Sequence, residues 1–130
     1  MMKFKNDLIK QDWPKIDERL RTLICFGDLY SMTNWSKELI ITDLIRPRVR
    51  QVALYKDLPE YKNLPVEKIP HSVHEYGRGA DLRTKHLEYW QKFKLVEIFN
   101  LIPYGKGHYQ TAIFHDIGSG EHIHLQVKYK

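Results

Sequence analysis

The sequence predicts an α+β domain in which two helices pack against a small, mainly antiparallel sheet. Two amphipathic stretches with helical periodicity, 14–30 and 86–102, are separated and followed by shorter segments rich in β-branched or alternating apolar residues. The chain of 130 residues is long enough for one domain with a substantial core but too short for two ordinary domains. We therefore expect a single domain over residues 1–130.

Local signals define the elements in order. Pro14 opens the first helix, whose apolar residues recur at helical spacing as far as Tyr30. β-branched residues over 37–45 predict a buried strand, and a short helix is expected at 49–55 within a proline-marked irregular region. The remaining predicted elements are an extended segment at 80–83, the second helix at 86–102, strands at 111–115 and 121–128, and a hairpin loop between them.

Net charge and the distribution of apolar residues indicate which kinds of binding partner to expect. The formal charge of +5 favours an anionic partner, such as nucleic acid, anionic lipid or bacterial cell wall, although the basic residues are scattered. Nucleic-acid binding ranks last because no recognised nucleic-acid motif is present, and an aromatic stripe of the second helix (Tyr89, Trp90, Phe93) is interpreted as core. No apolar run approaches the ~20 residues of a membrane span, and no secretory signal is visible.

Two separate segments carry the residues that predict a metal site. The first, Ser-Val-His-Glu-Tyr-Gly-Arg-Gly-Ala-Asp, places His74 and Asp81 around two glycines that permit a tight turn. The second, Glu-His-Ile-His, places His122 and His124 on the same side of a predicted strand. Two imidazoles and a carboxylate suit zinc, which in catalytic sites keeps one position open for water.

The first segment has the pattern Ser-x-His-x-x-Gly-x-x-x-Asp and resembles the metal signature of the D-alanyl-D-alanine peptidases (peptidase M15 family). These enzymes share a fold with the hedgehog signalling domain and, more loosely, with lysostaphin-type endopeptidases. Their second motif is Glu-x-x-His or His-x-His, and the segment from Glu121 to His124 satisfies both forms. The resemblance covers residues 40–128, implies a hedgehog/DD-peptidase-like fold, and implies the zinc ligands His74, Asp81 and His124.

The resemblance also implies a zinc metallopeptidase that hydrolyses a peptide bond in peptidoglycan stem peptides, as a carboxypeptidase or an endopeptidase with D,D- or L,D-specificity open. Hydrolysis requires a base that takes the proton of water. Glu121 is narrowly preferred to His122 as this base, although Glu121 reaches the metal only if the hairpin loop ends at or after it.

Three residues are candidates for binding substrate. Arg46 stands where related peptidases carry an arginine that binds a substrate carboxylate, a role that its planar guanidinium suits and that Arg48 could also fill. Ser72 is expected to support a ligand or to line the site rather than to act as a nucleophile. His115 precedes the predicted hairpin loop opposite the ligand strand and could line the cleft.

One alternative keeps the fold and the zinc but not the catalysis: the hedgehog domain serves as a binding module while it retains its metal. The lack of a visible secretory signal fits a phage-type lytic enzyme, made in the cytoplasm and then released or virion-associated. It fits equally a cytoplasmic dipeptidase or a fragment without its leader. The oligomeric state stays open.

Overall fold

A computed structural model of the chain describes residues 2–102, 104, 110–116 and 120–128. Within these residues the helices are α1 (Asp7–Asp12), α2 (Glu18–Trp35), α3 (Arg48–Tyr55) and α4 (Tyr89–Asn100). The strands are β1 (Lys3–Phe4), β2 (Ile40–Asp43), β3 (Gly79–Arg83), β4 (Ala112–Asp116) and β5 (Glu121–Gln126). Short 3-10 turns lie at Trp13–Lys15, Val66–Lys68 and Val73–Tyr76.

The strands form one five-stranded sheet in the order β1-β2-β3-β5-β4. β1 and β2 are parallel, whereas every other neighbouring pair is antiparallel. β3 is the middle strand, and the register between β2 and β3 shifts between Ile41 and Asp43. The prediction of an α+β fold with a mainly antiparallel sheet is therefore confirmed.

Alternation along the strands separates two faces of the sheet. On β5, Ile123 and Leu125 are fully buried in the hydrophobic core, whereas the side chains of His122 and His124 project from the other side. We call these the core face and the site face. Helices α2 and α4 contribute to the same buried cluster as the core face, through Leu20, Leu23, Ile24, Leu95 and Phe99. The core thus fixes which residues of each strand reach the site face.

Several boundaries differ from the predictions. The first helix begins at Glu18, where the Asp17 side chain accepts a hydrogen bond from the Arg19 N–H, and continues to Trp35. It ends where Ser36 adopts a left-handed conformation, so the helix extends beyond its predicted end at residue 30. The strand predicted at 37–45 is shorter and half-buried in alternation, and the N-terminal β1 and α1 were not predicted.

The aromatic residues at the start of α4 are exposed rather than buried. Tyr89, Trp90 and Phe93 retain 71%, 60% and 43% of their accessible surface, so the prediction that they form helix core is wrong. They instead make edge contacts with other rings, such as that between Trp90 and Trp35 at 5.5 Å between ring centroids. In the described part of the chain, no helix combines the length and apolarity required to cross a membrane.

We expect Gly27→Ala to lower the melting temperature. A Cβ at this position of α2 would lie 2.3 Å from Cζ of Phe99, a ring that is fully buried in the core. Replacing glycine by alanine within a helix ordinarily stabilises by about 1 kcal/mol, but overpacking here costs about 1–3 kcal/mol and outweighs that gain. Thermal unfolding checks the sign, with Cys25→Ala as the exposed control on the same helix. A higher melting temperature for Gly27→Ala would contradict this packing.

Candidate metal centre

The pairing of β3 with β5 brings Asp81 and His124 together. These two residues are directly opposite one another in the antiparallel ladder, so their side chains are neighbours on the site face. Nδ1 of His124 lies 3.0 Å from Oδ1 of Asp81. Because a slip of one residue would turn one of the side chains into the core, the strand register itself specifies this contact.

A tight turn places His74 over the same carboxylate. The 3-10 turn Val73–Tyr76 ends at Gly77, whose φ of +68° is a left-handed conformation that favours glycine. A Cβ on Gly79 would lie 2.6 Å from a valine methyl group of the turn, so glycine lets the turn pack directly on β3. As a result, Nε2 of His74 lies 3.2 Å from Oδ1 of Asp81.

A backbone carbonyl fixes the tautomer of His74. Nδ1 of this buried ring lies 2.7 Å from the carbonyl oxygen of Leu44, which can only accept a hydrogen bond. Nδ1 therefore carries a proton and donates it, and in the neutral form of the ring the lone pair of Nε2 faces Asp81. Carbonyl groups that hold the second nitrogen in this way are typical partners of metal-binding histidines.

A glutamine fixes the tautomer of His124 in the same manner. The side-chain amide nitrogen of Gln126 donates to the Gln110 carbonyl at 2.9 Å, which turns Oε1 of Gln126 towards His124. Nε2 of His124 then donates to that oxygen at 3.2 Å. In the neutral form of this ring, the lone pair of Nδ1 faces Asp81.

When both rings are neutral in these tautomers, three possible ligand atoms converge with their lone pairs facing one another. One ligand atom from each of His74, Asp81 and His124 lies within 4.8 Å of the other two. A tetrahedral zinc ion with bonds of about 2.0–2.1 Å would hold its ligand atoms roughly 3.4 Å apart. Facing lone pairs in a buried site repel one another unless a cation or an additional proton lies among them. This group could hold a divalent metal ion.

The surroundings of Asp81 favour its ionised form. Burial alone would raise the pKa of this carboxyl group, but hydrogen bonds from His124 and His74 in their protonated forms, together with the positive charge of those rings, outweigh burial and hold the pKa well below its ordinary value. An anionic oxygen is therefore present at neutral pH as the charged member of the ligand group.

Two further histidines adjoin the three ligand candidates. Nδ1 of His122 donates to the Gly120 carbonyl at 3.1 Å, which leaves Nε2 unprotonated in the neutral ring and 3.7 Å from Oδ1 of Asp81. His115 pairs with His122 across the β4–β5 ladder, with 5.4 Å between ring centroids. Burial, followed by the neighbouring His124 and His122, lowers the pKa of His115, so its ring is uncharged at neutral pH.

Glu121 lies apart from this group. β5 begins at Glu121, so this residue is already part of the strand. By alternation its side chain is on the same side of the sheet as Ile123 and Leu125, which is the core face. Its Oε1 accepts hydrogen bonds from Nζ of Lys92 and, at 3.0 Å, from the Thr84 hydroxyl. The structure therefore does not bring Glu121 to the metal ligands, and the base role preferred from the sequence does not fit this geometry.

Arg46 reaches the site but is already bonded there. Its Nη2 lies 3.7 Å from Oδ2 of Asp81, while Nε and Nη2 donate to Oδ2 of Asp43 at 3.2 and 2.8 Å. Nη1 donates to the Gln51 side chain at 2.9 Å. Arg48, the alternative anchor, instead donates to backbone carbonyls of the 66–70 segment and lies beside Glu75.

The ligand group opens into a cleft of about 780 Å³. Arg46, Ser72, His115 and His122 line this cleft with the three ligand candidates, so the structure brings together every site residue predicted from the sequence except Glu121. Oγ of Ser72 accepts a hydrogen bond from the His74 N–H at 3.2 Å and so supports the turn. Residues of α3 and the loop after it form an apolar wall that the sequence did not predict: Leu54, Tyr55 and Leu58.

Comparison of the chain with protein-family models, with curated proteins and with solved structures gave no match in any of the three. The similarity to the D-alanyl-D-alanine peptidases consequently rests on the two short motifs. The arguments about function below depend on those motifs and on the geometry of this site.

Zinc is expected to raise the melting temperature of the metal-free protein, by an amount that grows with zinc concentration, since binding to the folded state stabilises it. Asp81→Asn and His124→Ala should abolish this shift because each removes a ligand. Gln126→Leu should weaken zinc binding by about 10–100-fold because it frees the His124 ring from its orienting partner. Titration calorimetry checks these affinities, with His71→Ala as the control for a cleft histidine outside the ligand group. Undiminished zinc affinity in Asp81→Asn would contradict the assignment.

Glu121 is expected to contribute to stability in a pH-dependent manner. Lys92 lowers the pKa of this carboxyl group, so the stabilisation is present above the ordinary carboxyl pKa and is lost as the pH falls through the lowered value. Glu121→Gln should therefore reduce the free energy of unfolding at neutral pH, with a difference from wild type that shrinks as the pH falls below the ordinary carboxyl pKa. Denaturant unfolding at several pH values measures it, and a difference that is constant with pH would contradict the ion pair.

Proposed function

We propose that the chain is a zinc-dependent metallopeptidase that hydrolyses a peptide bond in peptidoglycan stem peptides. The observation that carries this proposal is the convergence of three lone-pair atoms, from His74, Asp81 and His124, at the base of an open cleft. Each ligand residue has a partner on its other polar atom, which orients the side chain. The other ring nitrogen of each histidine donates a hydrogen bond, and the second carboxylate oxygen of Asp81 lies beside Arg46. Three protein ligands and an accessible fourth direction are typical of catalytic rather than structural zinc.

Bound zinc would supply two effects, a lowered pKa for its water and polarisation of the scissile carbonyl group. The remaining requirement is a base beside the ligands that takes a proton from water and returns it to the departing amine. Nε2 of His122 meets this requirement because the Gly120 carbonyl holds the proton on Nδ1 and because Nε2 lies 3.7 Å from a ligand oxygen. His122 corresponds to the first histidine of the His-x-His form.

The cleft supports a peptide as the substrate. Its volume of about 780 Å³ can hold several residues of an extended chain, and its apolar wall, which includes Leu54 and Leu58, suits small aliphatic side chains such as that of alanine. The formal charge of +5 favours approach to an anionic cell wall. Peptidoglycan stem peptides combine these properties, and the motif resemblance points to the same class of substrate.

A non-catalytic zinc module is the second candidate, and the position of Glu121 favours it. The related peptidases use the glutamate of Glu-x-x-His as their base, whereas here Lys92 and Thr84 hold that side chain away from the ligands. If His122 cannot replace it, the site would bind zinc without turning over a substrate.

Digestion of purified peptidoglycan and soluble stem peptides by the zinc-loaded protein should release products that mass spectrometry identifies and that a chelator suppresses. His122→Asn should lower the hydrolysis rate by about 10²–10⁴-fold because it removes the accepting nitrogen. Glu121→Gln, the matched control on the other face of β5, should keep the rate at the permissive temperature. Zinc content and circular dichroism confirm that both variants are loaded and folded.

Two results would count against this account in different ways. Loss of turnover in folded, zinc-loaded Glu121→Gln would move the base role back to Glu121 and require its release from Lys92. Bound zinc without product from any stem peptide would favour the non-catalytic module.

A further inference from the structure

The cation expected to bind a substrate carboxylate is already paired with a carboxylate of the protein. Asp43 Oδ2 accepts hydrogen bonds from both Nε and Nη2 of Arg46, at 3.2 and 2.8 Å. The two side chains keep only 10% and 12% of their accessible surface, so water screens this pair weakly. Gln51 accepts from the remaining terminal nitrogen, Nη1.

The charges around this pair cancel. Nη2 of Arg50 donates to the other oxygen of Asp43 at 3.3 Å, and Arg46 lies beside the Asp81 carboxylate at 3.7 Å. Two guanidinium groups therefore face two carboxylates. A third carboxylate brought to Arg46 by a substrate would lie next to Asp43 and be repelled by it.

The cleft has no second lysine or arginine among its described residues. Of the described residues that line it, Arg46 is the only arginine or lysine; the others are apolar, neutral polar or histidine residues apart from Asp81. The apolar wall formed by Leu54, Tyr55 and Leu58 suits a peptide that extends further along the cleft better than it suits a charged C-terminal carboxylate.

We propose that Asp43 is a specificity-determining residue that neutralises Arg46 and thereby removes selection for a free C-terminal carboxylate. The cleft then accepts chain on both sides of the scissile bond, and the substrate is cleaved internally. This inference rests on the proposed peptidase function for the cleavage, but its prediction about binding is independent of turnover.

The test compares a stem pentapeptide ending in D-alanyl-D-alanine with the same peptide amidated at its C-terminus. Affinities are measured by titration calorimetry on the zinc-loaded His122→Asn variant, so that cleavage does not consume the peptide. We expect the two peptides to bind within about threefold of each other, because Asp43 already neutralises the Arg46 guanidinium that would distinguish the carboxylate from the amide. Wild-type protein should cleave the amidated peptide at a comparable rate.

Asp43→Asn, added to the His122→Asn variant, should make the cleft select peptides with a free C-terminal carboxylate. Asparagine keeps the shape and the accepting oxygen of Asp43 but removes the charge, which leaves Arg46 available to a substrate carboxylate. The free acid should then bind about tenfold more tightly than the amide, the size of one charge-assisted hydrogen bond. Asp7→Asn, which makes the same change of charge at an exposed position of α1, is the control and should leave the ratio unchanged.

The two peptides can still be compared on the His122→Asn variant with native Asp43 if Asp43→Asn fails to fold, and this comparison is sufficient to test the inference. A loss of about tenfold or more on amidation would overturn it, because Arg46 would then be acting as a carboxylate anchor despite Asp43. Failure of both peptides to bind would also overturn it, since the cleft would not be a peptide site. Equal binding of both peptides without cleavage by the wild-type protein would instead contradict the proposed catalytic function and leave the role of Asp43 intact.

Discussion

One carboxylate oxygen, Oδ1 of Asp81, lies within 3.2 Å of ring nitrogens of both His74 and His124 and 3.7 Å from His122. In their neutral forms these rings direct lone pairs at that oxygen, because the other nitrogen of each ring donates to a carbonyl or amide oxygen. Such an arrangement is favourable only when a cation lies among the bases or additional protons are taken up. The turn before β3 and the pairing of β3 with β5 both serve to hold this contact.

One face of β5 contributes to the hydrophobic core, and the other face carries the histidines of the site. Ile123 and Leu125 anchor the core, so the residues that alternate with them are forced onto the site face. The same alternation excludes Glu121, which instead stabilises the fold through Lys92. His122, on the site face, is therefore the proposed base, and Glu121 has a structural role instead.

Sequence reasoning found the elements and contacts that local patterns determine. The glycine-containing turn and the period-two strand alone were a weak signal; the resemblance to the two peptidase motifs implied the set His74, Asp81 and His124, and the structure brings these residues together. Gln126 was missed although it follows His124 by two residues and shares its face. The Asp43–Arg46 pair could not be predicted, because it depends on the register shift between β2 and β3 and on the docking of α3. Helical spacing assigned the aromatic residues Tyr89, Trp90 and Phe93 to the core, whereas they are exposed at the start of α4.

The most direct test of the central claim is anomalous diffraction at the zinc absorption edge from crystals of the zinc-loaded protein. The account predicts one strong peak bonded to Nε2 of His74, Oδ1 of Asp81 and Nδ1 of His124, at distances of about 2.0–2.2 Å. It also predicts that the fourth direction faces the cleft. Ordered side chains at these positions with no peak among them, or a zinc ion bound through Glu121 instead, would contradict it.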